Sequence, residues 1–587
     1  MSPRSLCGTS YGSRLRGIRF LRVALFVAFA LVPLAMQGQN EDVRRSDDGV
    51  WQRYYDMLAD DEDVENGTAE NVYDMLADLA ANPINLNRVT RDDLERLVFL
   101  SDRQREDIAE YVDRYGPVRT VGELAMLPSL DAVRCRLLQC FMYAGEGRAR
   151  RLFPPVDTLL SRCRSELTVA ATVPFYTRDG YLRGADKGYL GPKYKHWARY
   201  RVGYGRLLEA GFTASQDAGE PFFTGRNRWG YDFYSFYIAM RNAGKVKAAV
   251  AGRYRLRLGM GLVMNTDFTF GKAASLLSLT RTTNSLRPHS SRMEANYLQG
   301  VGATVALSRH AELTSFFSHR LVDATLNSDS STVKTLLKTG YHRTRSEMER
   351  RRNTRQTTGG ASLALRSGPW RVALSGVATT FNRRLLPDTS VVYRRYSAVG
   401  KSFVNGSLSY SYSSPLLRVA GETATGSTGG LAALHSVGVS PSSRLDVALV
   451  HRYYSYRYRS LFAAGFSDGG AINNEHGLLV SVAWRPTDVL ALSAYADYAR
   501  SEWPRYMVSF PSHVWDGQVA ASLALGAVTL DARYRLRQRQ RDNATHSALV
   551  SRTEHRARLS ATLDRSTWRL TTRADVALTA CDSLSHG

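Results

Sequence analysis

Ala532-Arg533-Tyr534-Arg535-Leu536-Arg537 decides the fold. Arginine holds every odd position and an apolar or aromatic residue every even one, the period of two expected of a strand whose faces meet different surroundings. Arg556-Ala557-Arg558-Leu559-Ser560-Ala561-Thr562-Leu563 repeats the pattern, as do Trp197-Ala198-Arg199-Tyr200-Arg201-Val202 and Arg253-Tyr254-Arg255-Leu256-Arg257-Leu258. Charge on one face and oily residues on the other describe a membrane β-barrel with a wet interior. That parity sends Arg199, Arg201, Arg255, Arg257, Arg533, Arg535, Arg537, Arg556 and Arg558 to the lumen. It sends Tyr254, Leu256, Tyr534, Leu536, Leu559 and Leu563 to lipid.

Outward from these stretches, alternation fills residues 165–587. Tight turns such as Ala243-Gly244, Ser367-Gly368-Pro369 and Pro441-Ser442 take turns with long polar connections such as 177–194, 217–231, 322–357 and 457–476. Short turns at one end and long loops at the other are the asymmetry of outer-membrane barrels. The expected fold is therefore a large antiparallel transmembrane barrel of roughly 18–20 strands. The count comes to nineteen, with the last strand pointing outward, so either a closing strand is missing from a truncated reading or the count is off by one. The basic connection 259–296, which holds Phe268, Phe270, Lys272, Arg287 and Arg292, either folds inward as a constriction or caps the outside.

Residues 1–38 read as a signal peptide, with Arg14, Arg16, Arg19 and Arg22 ahead of the apolar run 23–35. No later run is long and apolar enough for a spanning helix, so insertion must be by strands. A net charge of +24 points to a polyanionic partner, nucleic acid or acidic lipid headgroups, without choosing between them. Cys135, Cys140, Cys163 and Cys581 form no metal-binding spacing and read as inert thiols.

Between signal and barrel the texture is helical. A leader over 39–82 carries Tyr-Asp-Met-Leu-Ala-Asp twice, from Tyr55 and from Tyr73, with Asn66-Gly67 between the copies. Residues 83–145 follow, and 146–164 form a linker. Thr90-Arg91-Asp92-Asp93 looks like a capping box, Ser101-Asp102 opens a helix that ends at Gly116-Pro117, and further helices follow Thr120 and Ser129.

Ile84-Asn85-Leu86-Asn87, then Leu94, Leu97, Ile108, Tyr111, Tyr115-Gly116-Pro117, Val121 and Leu124, resemble the tandem helix-hairpin-helix domain of ComEA-like competence proteins. The resemblance implies two hairpins whose glycine-rich backbones approach DNA phosphates. Here Phe99-Leu100-Ser101 and Ser129-Leu130-Asp131 replace those glycines, which obstructs close approach by bulk and, at Asp131, by like charge. These six residues are the candidate contact positions, for DNA or for a protein partner.

No GxSxG, HExxH, P-loop or complete GxGxxG is present, and neither a metal nor a cofactor is implied. The reading is a non-enzymatic outer-membrane barrel, porin-like or an assembly component, set in lipid, with a periplasmic helix-hairpin-helix domain that docks a periplasmic protein. The alternative is a DNA-uptake component of the same membrane.

Overall fold

The computed structural model describes residues 51–581 apart from 53, 56–67, 82, 95, 146–156, 158–160, 162, 185–186, 206, 268–270 and 566–567. The signal segment, most of the first Tyr-Asp-Met-Leu-Ala-Asp copy, Asn66-Gly67, Phe268, Phe270, most of the linker and the tail 583–587 lie outside the described residues.

The alternating stretches pair side by side into one antiparallel sheet that curls around a common interior. Nineteen of its strands have nine or more residues. They begin with β1 (Arg164–Thr172), β2 (Lys195–Tyr204), β3 (Leu208–Gln216), β4 (Phe233–Ala243), β5 (Val246–Arg257), β6 (Leu298–Ala306) and β7 (Ala311–Val322). Next come β8 (Thr354–Ser367), β9 (Trp370–Leu385), β10 (Gly400–Ser413), β11 (Leu417–Gly426), β12 (Leu431–Ser442) and β13 (Leu445–Tyr454). The series ends with β14 (Glu475–Trp484), β15 (Leu490–Ser501), β16 (Ser512–Leu525), β17 (Val528–Asp542), β18 (Leu549–Asp564) and β19 (Arg569–Cys581). Three strands of three or four residues lie in the connections. Each long strand pairs with the next, from β1–β2 to β18–β19. An odd number makes β1 and β19 run the same way. They are neighbours in strand order, yet no residue register joins them among the described residues, and β19 is exposed on both faces.

Side chains sort by parity along most of the wall. On β9, Trp370, Val372 and Leu374 are exposed, while Arg371, Ala373 and Ser375 are buried. The outward face carries an apolar belt that includes Leu374, Leu408, Leu449, Val480 and Val519. Aromatic rings edge it: Trp370, Trp484 and Trp568 toward the short turns, and Phe236 and the Tyr498–Trp515 pair toward the long loops. No described helix is long and apolar enough to cross a membrane.

Parity fails on β5, and the backbone shows why. Gly252 and Gly300 face each other across the β5–β6 pair, with φ of +103° and +151°. Glycine is needed twice over here, for the left-handed backbone and for space. A Cβ on Gly252 would lie 2.4 Å from the Phe236 carbonyl oxygen, and one on Gly300 2.3 Å from that of Phe317. Beyond the pair β5 is buried on both faces, with Arg253 and Arg255 on one side and Tyr254 and Leu256 on the other. The expectation that Tyr254 and Leu256 face lipid is therefore corrected: both belong to the interior core. The hairpin has left the wall and carries segment 258–297 inward, where Met260, Leu262, Val263 and Met264 pack on Ala420, Leu434 and Val450 of the wall. The connection expected at 259–296 is thus an inward constriction and not an external cap.

The helical unit has its own core. Asn87 ties its ends together: the Asn87 amide donates to the Val118 and Gly145 carbonyls at 2.8 and 2.9 Å and accepts from the Val118 N–H at 2.7 Å. Ile84–Asn85 bridges Met142–Tyr143 in parallel. The second Tyr-Asp-Met-Leu-Ala-Asp copy lies in α1 (Thr68–Ala81), followed by α2 (Arg91–Leu94), α3 (Asp102–Tyr115) and α4 (Ala132–Phe141). Thr90 and Asp93 exchange the two hydrogen bonds of a capping box, each 3.2 Å. The helix expected after Thr120 is a 3-10 helix, Val121–Met126. The unit meets the barrel at its short-turn end: Arg103 donates to the Ser442 carbonyl at 2.9 Å, and Arg485 to that of Pro128 at 3.1 Å.

Replacing Gly252 with alanine is expected to destabilise the protein by about 1–3 kcal/mol, the size of local backbone strain. Gly376→Ala, where a Cβ meets nothing within 4 Å, should change it by about 0.5 kcal/mol or less. Urea unfolding in detergent measures both; equal midpoints would refute the bend.

Candidate functional site: an ion-latched interior

The inward segment is held by charge. Its short helix α5 (Lys272–Ser275) begins at a lysine whose Nζ donates to Asp468, Asp497 and Asp516 at 2.8, 2.7 and 2.9 Å. Arg452, fully buried on β13, pairs with Glu475 and, at 2.7 Å, with Asp497. Arg535 reaches Asp516 at 2.7 Å, and Arg537 reaches Asp468 at 2.9 Å. Charges taken out of water are tolerated only when paired and hydrogen-bonded, and here each carboxylate meets at least one cation. Glu422 on β11 adds a neutral clasp by accepting the N–H groups of Met260 and Leu262 at 2.6 and 3.2 Å.

The arginines named from parity take two kinds of place. Arg199, Arg201, Arg533, Arg535, Arg537, Arg556 and Arg558 lie on the inward parity of β2, β17 and β18, opposite exposed Tyr200, Tyr534, Leu536 and Leu559. Arg201 pairs with Glu166, and Arg558 with Asp575. Arg255 and Arg257 lie on the bent part of β5, where Arg255 Nε donates to His289 Nδ1 at 2.9 Å. Parity reading passed over the acids opposite them. Asp497 and Asp516 stand alone in the apolar strand stretches Ala494-Tyr495-Ala496-Asp497-Tyr498 and Val514-Trp515-Asp516. Those lone charges were the available signal.

The hairpin positions are spent on packing. Phe99 and Leu100 are core residues, Ser101 caps α3 in a capping box with Gln104, and Asp131 caps α4. Ser129 and Leu130 are buried. The two stretches are tied reciprocally: Gln104 donates to the Ser129 carbonyl at 2.7 Å, and Arg134 to that of Phe99 at 3.2 Å. Asp102, at the start of α3, accepts from Thr280 of the inward segment at 2.9 Å.

A second buried cluster sits among the long connections. His342 Nδ1 lies 2.6 Å from Asp232 and Nε2 lies 2.8 Å from Asp323, so one imidazole staples two loops. Ligand atoms of Glu220, Asp232 and His342 lie within 4.8 Å of one another, a spacing that could hold a metal ion. As arranged, both ring nitrogens already serve carboxylates and Arg351 braces Asp232 at 3.2 Å, which makes the cluster an ion-pair staple. Burial opposes charge on His342, but its hydrogen bonds to Asp232 and Asp323 push it up to about 10. Burial, then the charge of Asp232, pushes Glu220 up to about 8.

An antiparallel wall with an oily outside, wrapped around an ionic interior that its own chain fills, defines a plugged β-barrel. No protein-family model matches the chain, and no curated protein does. Among solved structures, OprD of Pseudomonas aeruginosa, an outer membrane protein, aligns at 8% identity and TM-score 0.34, over 71% of this chain and 93% of its own. OccK9 of the same organism aligns at 10% and 0.33, over 70% and 97%. Wzi of Escherichia coli, a carbohydrate-binding barrel involved in group 1 capsule assembly, aligns at 10% and 0.33, over 78% and 94%. Likeness this loose carries nothing about cargo.

The staple sets a pH dependence. His342 is raised above its ordinary 6.5, so its stabilisation is complete below that value and lost as pH rises through about 10. Glu220, also raised, charges beside Asp232 near pH 8 and acts in the same sense. Hydrogen exchange in residues 323–353 should accelerate between pH 7 and 10 beyond its intrinsic rise, and His342→Gln should flatten that excess. A wild-type profile already flat would refute the staple.

Proposed function

We propose that this chain is a non-enzymatic barrel of a bacterial outer membrane, closed at rest, that passes small polar anions when its inward segment yields. The observation that carries the reading is the apolar outward belt edged by aromatic rings around an interior of paired ions. Tryptophan and tyrosine settle at both water interfaces of membrane barrels, and an arginine-lined interior favours anions.

The helical unit then sits in the periplasm, at the short-turn end, as a stopper and a place for a periplasmic partner to dock. Its helix-hairpin-helix character remains a sequence resemblance. Nothing favours the DNA-uptake alternative: its candidate contacts, Phe99, Leu100, Ser101, Ser129, Leu130 and Asp131, are taken up by core packing and caps, and the edge they form lies against the barrel turns.

Two measurements test the reading. Leu374→Arg, mid-belt, should cost about 2–4 kcal/mol of stability in liposomes and Thr380→Arg, nearer the rim, about 0–1 kcal/mol; equal costs would remove the membrane belt. Lys272→Met takes one cation from three buried carboxylates that each keep an arginine, a change that should cost no more than the about 3–5 kcal/mol of breaking a buried pair. In planar bilayers it should raise the conductance at least several-fold over wild type, with anion-selective reversal potentials. Unchanged conductance or cation selectivity would overturn the proposal.

A further inference from the structure

A cavity of about 1030 Å3 survives inside the barrel. Its walls include Met75, Val98 and Asp102 of the helical unit, Met260, Lys272 and Arg292 of the inward segment, the connections at Lys338 and at Phe462–Asp468, and Arg537, Arg539 and Arg556 of β17 and β18. It matches the upper end of the roughly 300–1,000 Å3 range of small-molecule sites.

Its charge is unbalanced in one direction. Ten lysines and arginines line it against six acids. Most of those acids are already engaged: Asp102 with Arg105, Asp217 with Lys195, Asp267 with Arg287, and Asp468 with Lys272, Arg537 and, at 3.7 Å, Arg539. Glu554 takes Arg556. Arg257 and Lys338 form no ion pair among the described residues. Arg257 and Arg539 line the cavity, and a polyvalent anion bound there would meet the charge of both guanidinium groups. Phe462, Phe466, Leu279 and Met293 give the same space an apolar side.

We propose that this cavity is a binding site for a small organic anion with two or more acidic groups, carboxylate or phosphate, held by Arg257 and Arg539 with Lys338 at the rim. The proposal rests on the reading of the barrel interior as a solute space. Its test is binding, so it succeeds or fails independently of conduction.

The full chain in detergent is titrated calorimetrically with citrate, tripolyphosphate and neutral maltotriose at constant ionic strength. One or both anions should bind with one-to-one stoichiometry while maltotriose does not; which anion wins tells carboxylate from phosphate. Arg257→Gln with Arg539→Gln should weaken binding at least tenfold. Arg228→Gln with Arg309→Gln, both on exposed loops, should leave it unchanged. Should the cavity double variant not fold, Lys338→Glu changes an exposed side chain at the rim and should weaken binding several-fold. Absence of binding, binding that the loop variant weakens as much as the cavity variants, or several anions per chain would overturn the proposal, since each indicates diffuse attraction to a chain of net charge +24.

Discussion

An ion inside a barrel needs a counter-ion, and the interior of this protein is arranged around meeting that need at Lys272. Three carboxylates from a long connection and from β15 and β16 converge on one ammonium, and each of them also touches an arginine. Remove the inward segment and the wall is left with acids facing one another; remove the acids and the lysine has no way to stay buried. The segment enters because the wall is charged to receive it, and the glycine pair at Gly252 and Gly300 lets the backbone turn in without breaking β5 and β6. Oil fills what charge does not, with Met260, Leu262 and Met264 against alanines and leucines that another barrel would leave to water.

Much of the wall was legible in the sequence because a strand has two faces and lipid tolerates few charges. Arg533, Arg535 and Arg537 alternate along β17 with exposed Tyr534 and Leu536. The same rule misplaced Tyr254 and Leu256, since parity assumes that a strand stays in the wall and nothing in Arg-Tyr-Arg-Leu-Arg says that it leaves. The available clue was Gly252, one residue before that stretch. The latch was legible in pieces at best: lone acids in apolar strands can be seen, but their convergence on a lysine 225 and 244 residues away cannot.

The helical unit tells a related story. Local signals for its caps and turns were sufficient at Thr90, Ser101 and Gly116 because capping is decided within four residues. The role of Asn87 was not visible, because its partners lie 31 and 58 residues further on. The residues that stand where the resembling family has glycines also make sense in place. Phe99 and Leu100 give the unit its centre, and Ser101 and Asp131 begin helices, so residues unsuited to meeting a phosphate are suited to holding the helical unit together.

The inward segment is fastened at two separations along the chain. Its base is the β5–β6 pair, which closes across the connection 258–297, and its tip is fastened by β15 and β16, 225 and 244 residues beyond Lys272. Loop-closure entropy makes such remote contacts slow to form. Whatever order the strands join in, a chain paired only as far as β14 has its hairpin but only part of its latch. The interior is therefore sealed late: until Asp516 is in place Lys272 lacks one of its three carboxylates, and completion of the wall and closing of the lumen fall together.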